Sequence, residues 1–196
     1  GFSVTGGFSV TGGFSVTGVF SVVAGLAITI VLPAKADVSA TYNHLLTPGH
    51  RLVFHADLGV AVPYGNSQTI PFEKRYYGGG ANSVRGWSAR SLGPGSHNAG
   101  STIDYMKQSG DIKLDLNLEY RTKLVWLLEL AAFIDAGNIW TLKDEGQVGG
   151  QFKFNQFYEQ IALGYGIGIR LNFDYFVLRL DWGLKAFDPS RGDGER

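Results

Sequence analysis

Residues 111–121, DIKLDLNLEYR, decide how this chain is read. Ile112, Leu114, Leu116, Leu118 and Tyr120 alternate with Asp111, Lys113, Asp115, Asn117, Glu119 and Arg121. A sustained period of two marks a strand with one apolar and one polar face. A sheet in water presents its polar face to solvent, whereas the wall of a transmembrane barrel presents its apolar face to lipid. Strand length and recurrence separate these two readings.

The pattern recurs on both sides. Downstream, Trp126, Leu128, Leu130, Ala132 and Ile134 alternate with Glu129, Ala131, Phe133 and Asp135, and Gly137-Asn138 is expected to end the crossing. Between these strands Arg121-Thr122-Lys123-Leu124 leaves room for a tight hairpin. Ile161, Leu163, Tyr165, Ile167, Ile169, Leu171 and Phe173 form the next apolar face, opposite Gly164, Gly166, Gly168, Arg170 and Asn172. Bare glycines on an inward face leave space for something to pack there. Phe176, Leu178, Leu180, Trp182 and Leu184 follow, with Arg179, Asp181 and Lys185 inward. Upstream, Val38, Ala40 and Tyr42 belong to one strand, and Leu52, Phe54, Ala56, Leu58, Val60 and Val62 to its return. Short turns at Thr47-Pro48-Gly49 and from Asn172 to Tyr175 alternate with long polar connections over 63–109 and 141–156. That asymmetry is typical of outer-membrane barrels. Six strands are therefore expected after residue 33, with one or two before it.

Residues 1–33 form a segment of their own. Residues 1–18 are three copies of GFSVTG, and an even period preserves strand alternation. One crossing needs only about 9–11 residues, so a turn is expected at Gly6-Gly7, Gly12-Gly13 or Gly18. No function is read from the repeat. A signal peptide over Val19 to Ala36 lacks a basic leading region, and Pro33 would interrupt a helix.

Composition excludes several function classes. Seventeen basic residues balance seventeen acidic ones, so nothing points to nucleic acid. The absence of cysteine removes disulfides and thiolate chemistry. His44, His50, His55 and His97 lack metal-ligand spacing, so neither a metal nor another cofactor is expected. Asp111 and Asp115 share a strand face, as paired carboxylates for acid–base work would, but Lys113 between them points to ordinary charge balance. Ser83 lacks a His–Asp partner pattern. Gly78-Gly79-Gly80 is followed by no Gly-Lys-Ser/Thr and is not a phosphate loop.

The remaining signal is the stretch Ile70 to Gly95, IPFEKRYYGGGANSVRGWSARSLGPG. It reads as a loop, yet it concentrates Arg75, Arg85, Arg90, Tyr76, Tyr77 and Trp87 around three glycines. Such a loop is expected to fold into a cavity where Arg85 meets a carboxylate. Gly79, Gly80, Ser83, Val84, Arg85, Gly86 and Trp87 carry a resemblance to the Val-Arg-Gly-aromatic motif of the BamA/TamA outer-membrane assembly family. The flanking Pro71-Phe72-Glu73-Lys74 and Ser91-Leu92-Gly93-Pro94-Gly95 resemble its TamA-like branch in Bacteroidetes. The likeness runs from about Ala34 to Glu195.

The resemblance implies an all-β antiparallel transmembrane barrel, of which residues 34–196 are the C-terminal portion of sixteen strands, with loop 63–109 folded inward. Neither the family's final strand nor its periplasmic repeats are visible. By the same resemblance, Arg85 pairs with Glu119 and Asp135, and strand parity independently puts both carboxylates on the inner face. An unpaired, partly buried guanidinium would cost several kcal/mol, and its planar fork suits carboxylates. The implied function is non-enzymatic. It is the insertion of β-barrel clients into the bacterial outer membrane, or protein translocation across it, in contact with the bilayer, unfolded clients and accessory envelope subunits. A passive porin-like channel and a two-partner secretion transporter are the alternatives. A fused lipid hydrolase, found in relatives, has no serine-hydrolase segment here.

Overall fold

The computed structural model describes residues 6–16, 32–64, 69–98, 107–143, 146–173 and 175–191. Among them, seven strands form one antiparallel sheet in sequence order: β1 Gly6–Val16, β2 Leu32–Thr47, β3 His50–Tyr64, β4 Ile112–Val125, β5 Leu128–Trp140, β6 Ala162–Asn172 and β7 Val177–Phe187. Helical structure among the described residues is confined to two 3-10 turns, Phe72–Lys74 and Phe157–Gln160.

The alternation read from sequence sets the two faces. Phe54, Leu58, Leu118, Ile134, Tyr165, Ile167, Leu180 and Trp182 stand exposed on one side, far more contiguous apolar surface than a soluble protein leaves in water. Asp115, Glu119, Glu129, Phe133, Asp135 and Arg170 lie buried on the other. The sheet is therefore apolar outside and charged inside, as a barrel wall is. β2–β3, β4–β5 and β6–β7 are joined by short turns on one rim, whereas β3–β4 and β5–β6 are joined by long connections on the other.

Several boundaries differ from the sequence reading. Gly6-Gly7 and Gly12-Gly13 lie inside β1, which pairs without interruption against β2 from Gly6↔His44 to Val16↔Ala34. Gly18 falls outside the described residues. The β4–β5 hairpin closes at Trp126-Leu127, with Lys123/Val125 irregular in register, rather than at 121–124. Trp126 is thus an exposed turn residue rather than the start of a strand. β5 also continues past Gly137-Asn138 to Trp140. The reason is that two segments of the β3–β4 connection supply hydrogen bonds there: Gly95 N–H donates to the Ile139 carbonyl at 2.8 Å, and Asp111 N–H to that of Trp140 at 2.7 Å.

Loop residues 69–98 pack on the inner face through two apolar clusters. Ile70 and Tyr76 join Ala61 and Ile139, while Val84, Trp87 and Leu92 join Ala162. Gly79 and Gly80 have φ of +87° and +98°, a conformation open to glycine and costly for residues with a Cβ. They reverse the chain so that Gly80 N–H reaches the Trp87 carbonyl at 2.9 Å.

Candidate functional site

Strand register builds the floor of the site. Val53, Glu119, Phe133, Gly166 and Gly183 stand side by side across β3 to β7, and the adjacent row runs His55, Asn117, Asp135, Gly164 and Lys185. Two carboxylates on neighbouring strands, one row apart, thus flank an aromatic ring. Beyond that ring the wall carries glycine in place of side chains.

Arg85 occupies this slot. Its Nε and Nη2 donate to the two oxygens of Asp135 at 2.8 and 2.7 Å, and Nη1 donates to Glu119 Oε2 at 2.6 Å. The Arg85 backbone N–H adds a fourth bond, to Asp135 Oδ2 at 3.0 Å. The guanidinium carbon lies 3.5 Å from the centroid of Phe133, within cation–π range. The arginine side chain is 5% exposed and that of Asp135 0%. Such a bidentate, desolvated pair is among the stronger contacts a loop can make, because the fork matches the carboxylate and water does not compete.

The glycine rows let the loop backbone reach the wall. A Cβ on Gly183 would stand 2.5 Å from the Arg85 carbonyl oxygen, and one on Gly86 3.0 Å from the Leu184 oxygen. A Cβ on Gly164 would stand 3.4 Å from the Gly86 nitrogen and from Val84, an ordinary contact. Of the three inward glycines of β6, then, only Gly164 faces the loop. Gly166 is filled by Phe133 and the Trp182 carbonyl, and Gly168 by Asp181 and Arg170.

The rest of the motif fixes the loop around the arginine. Ser83 Oγ donates to Asp115 Oδ1 at 2.8 Å and accepts from Gly79 N–H at 3.2 Å. Asn117 Nδ2 donates to both the Ser83 carbonyl and Asp135 Oδ1 at 2.9 Å. Val84 and Trp87 are buried in the loop cluster, and Lys185 Nζ sits 4.8 Å above the Trp87 ring. Asp115 therefore serves as an anchor for Ser83 and a partner of Lys113, at 3.0 Å. Asp111 accepts from the Leu142 N–H at 3.0 Å.

The ion pairs extend beyond Arg85 into the wall. Glu119 also receives Arg121 and Arg170, each at 2.6 Å. Arg170 continues to Asp181 at 2.8 Å, and Arg179 to Asp181 at 3.1 Å and to the Ala81 carbonyl at 2.6 Å. Glu119 thus serves loop and wall at once. Strand parity places Arg170 and Arg179 inward as charge balance for the carboxylates; Arg170 does pair with Glu119, whereas Arg179 pairs with Asp181. A cleft of about 270 Å³ opens beside this network, bordered by Val53, His55, Asn82, Arg85, Arg121 and Arg179 among others.

A second anchor lies on the far side of the loop. Tyr76 Oη donates to Asp37 Oδ1 on β2 at 2.6 Å, and Lys35 Nζ lies 4.0 Å from its ring centroid. The ring crosses β3 over Gly59, where a Cβ would come within 2.5 Å of Tyr76 Cζ. Burial first, and then the bond to Asp37, push the Tyr76 phenol up from its ordinary range. The loop therefore bridges β2 through β7 by named side-chain or backbone contacts. Every carboxylate touching Arg85 is engaged by guanidinium groups, an arrangement for holding rather than for proton transfer.

Residues 5–196 match the Omp85 superfamily domain. Over 130 residues the chain is 32% identical to the outer membrane protein assembly factor BamA of Neisseria meningitidis serogroup B, covering 60% of this chain and 16% of that protein. The chain thus spans about a sixth of that relative's length. The fold is similar to the crystal structure of BamA from Haemophilus ducreyi lacking POTRA domains 1-3, with a TM-score of 0.56 at 18% identity, over 78% of this chain and 32% of that one. An antiparallel wall, apolar outside and charged inside, together with a match along nearly its whole length, leads to one conclusion: the chain belongs to the Omp85 superfamily.

Proposed function

We propose that this chain is the barrel portion of a bacterial outer-membrane factor that folds and inserts β-barrel clients, working as an insertase without bond chemistry. Strands β1 to β7 supply the wall, loop residues 69–98 pack inside it, and the GFSVTG repeat carries no assigned role. The observation that carries the reading is the Arg85 lock on Glu119 and Asp135. A loop held this firmly against several strands stiffens one part of the wall. Strain from an incoming client strand, which joins a sheet by adding to a free edge, is then directed to other parts. The partners are the outer-membrane bilayer, unfolded clients and accessory envelope subunits.

The test is Arg85→Ala in the full-length protein, with client assembly and small-solute conductance measured side by side. Loss of assembly with little change in conductance is the expected result. Altered conductance with normal assembly would instead favour a passive channel, and a secretion defect confined to one exported substrate would favour a two-partner transporter.

A further inference from the structure

The β5–β6 connection, residues 141–161, is the feature that the loop lock leaves unexplained. Trp140 has the parity of the lipid-facing residues Leu130, Ala132 and Ile134, yet it is only 1% exposed. The connection covers it. Phe152 and Phe157 meet the Trp140 ring edge-on at 5.7 and 6.3 Å, and Trp140 Nε1–H donates to Gln160 Oε1 at 2.8 Å. Asn138, of the same parity, donates to the Gln160 carbonyl. Phe154 and Tyr158 continue the stack at 5.9 and 6.1 Å from Phe157, but they are 83% and 59% exposed. The stack is thus an aromatic ridge fixed to the wall at its base and bare at its edge.

Strand geometry gives the height of that edge. β6 has 11 residues, Ala162–Asn172. At about 3.3 Å per residue and a tilt near 45°, it rises roughly 25 Å, the height of the apolar band of an outer-membrane barrel. Phe157–Gln160 immediately precedes β6, which puts the ridge at the edge of that band, just beyond the exposed outward residues Leu163 and Tyr165. The opposite end of β6 meets the exposed Tyr175 and Phe176, close in height to the turn residue Trp126.

We propose that this ridge is a lipid-interface anchor: Phe154 and Tyr158 sit at the headgroup level of the bilayer on the long-loop rim. Continuity with the lipid-facing wall identifies lipid as the occupant; the amphipathic Tyr158 ring favours that depth, and Phe154 extends the apolar contact beside it. The ridge is therefore a fixed brim that holds the wall at one level in the membrane. The inference rests on the outer-membrane reading above.

The experiment places a spin label at Phe154→Cys, Tyr158→Cys, Ile134→Cys and Ser88→Cys, one at a time, on otherwise cysteine-free full-length protein in phosphatidylethanolamine–phosphatidylglycerol vesicles. Collision rates with oxygen and with a nickel chelate report depth. Positions 154 and 158 should show oxygen-to-nickel ratios several-fold above Ser88 and below Ile134. Ratios equal to Ser88, with Ile134 still in lipid, would overturn the anchor while leaving the membrane reading intact. Water access at Ile134 would remove both. Shielding from both reagents in native membranes, with water access in vesicles, would assign the ridge to a protein partner and refute the lipid assignment.

Discussion

Replacing Asp135 by asparagine tests the lock with almost no change in shape. Asp135 accepts four hydrogen bonds. Oδ2 takes the Arg85 N–H and Nε, and Oδ1 takes Arg85 Nη2 and Asn117 Nδ2. Asparagine offers one oxygen, so either orientation of its amide turns an NH₂ group toward two donors. Two buried donors lose their acceptor, each costing about 1–3 kcal/mol, and the guanidinium loses one of its two nearest countercharges. Glu119 still holds Nη1 at 2.6 Å, so the cost stays at the low end of that for breaking a buried ion pair, about 3 kcal/mol. Since about 1.4 kcal/mol is tenfold, local opening of the loop should become roughly 150-fold more frequent.

The assay is amide hydrogen exchange of the peptide covering Gly80 to Trp87 in full-length protein in vesicles. Gly80, Ser83 and Trp87 N–H groups are bonded only within the loop, and Arg85 N–H to Asp135 itself. Their protection therefore reports docking of the loop and not pairing of the strands. Exchange should accelerate about a hundredfold there, with β4–β5 amides unchanged. Acceleration below tenfold would refute the reasoning, because the loop would then be held by its apolar cluster and not by its arginine. Equal acceleration in loop and strands would refute it differently, by showing that Asp135 supports the sheet.

Gly183→Ala should open the same peptide without touching a charge. Its Cβ would meet the Arg85 carbonyl at 2.5 Å, forcing the loop back by about 1 Å before an ordinary contact is reached; Gly164→Ala, with contacts at 3.4 Å, should leave exchange nearly unchanged. Tyr76→Phe should remove a late component from the phenolate absorbance titration. The folded phenol is held above its unfolded value near 10, so its stabilising contribution is complete below that pH and declines as the pH rises beyond it. Val84→Ala removes two methyl groups from the cluster with Trp87, Leu92 and Ala162 and should destabilise docking by about 1–3 kcal/mol, read in the same exchange measurement.

The fold was legible because a barrel wall repeats one rule. Each residue of 111–121 faces either lipid or the inner side, so two-residue alternation fixes its orientation without knowledge of any partner. The inward placement of Glu119 and Asp135 followed from parity alone. Boundaries failed where tertiary contacts override local signals. Gly137-Asn138 resembles a strand end, yet β5 continues because residues 95 and 111 complete its hydrogen bonds. Gly12-Gly13 resembles a turn, yet β2 supplies a full ladder across it. Trp126 fits the apolar alternation of β5, but the hairpin is tighter and lies later than its polar residues suggest.

The site was legible only in part, since pairing across a sheet depends on register as well as parity. Parity places Arg170, Arg179 and Asp181 inside. Register then puts Asp181 opposite Gly168 and Arg170 opposite Arg179, which lets Asp181 stand between two guanidiniums. The same register aligns Gly183 with Gly166 and Phe133, so the loop backbone can approach the wall just where the arginine needs to descend. The bare positions and the carboxylates thus act together. A side chain at Gly183 would hold Arg85 away from Asp135 and Glu119. An open row without the carboxylates would admit the loop but leave its cation unpaired. A lock of this kind therefore requires matched changes on three strands and one loop, and single substitutions at any of them should converge on the same open loop.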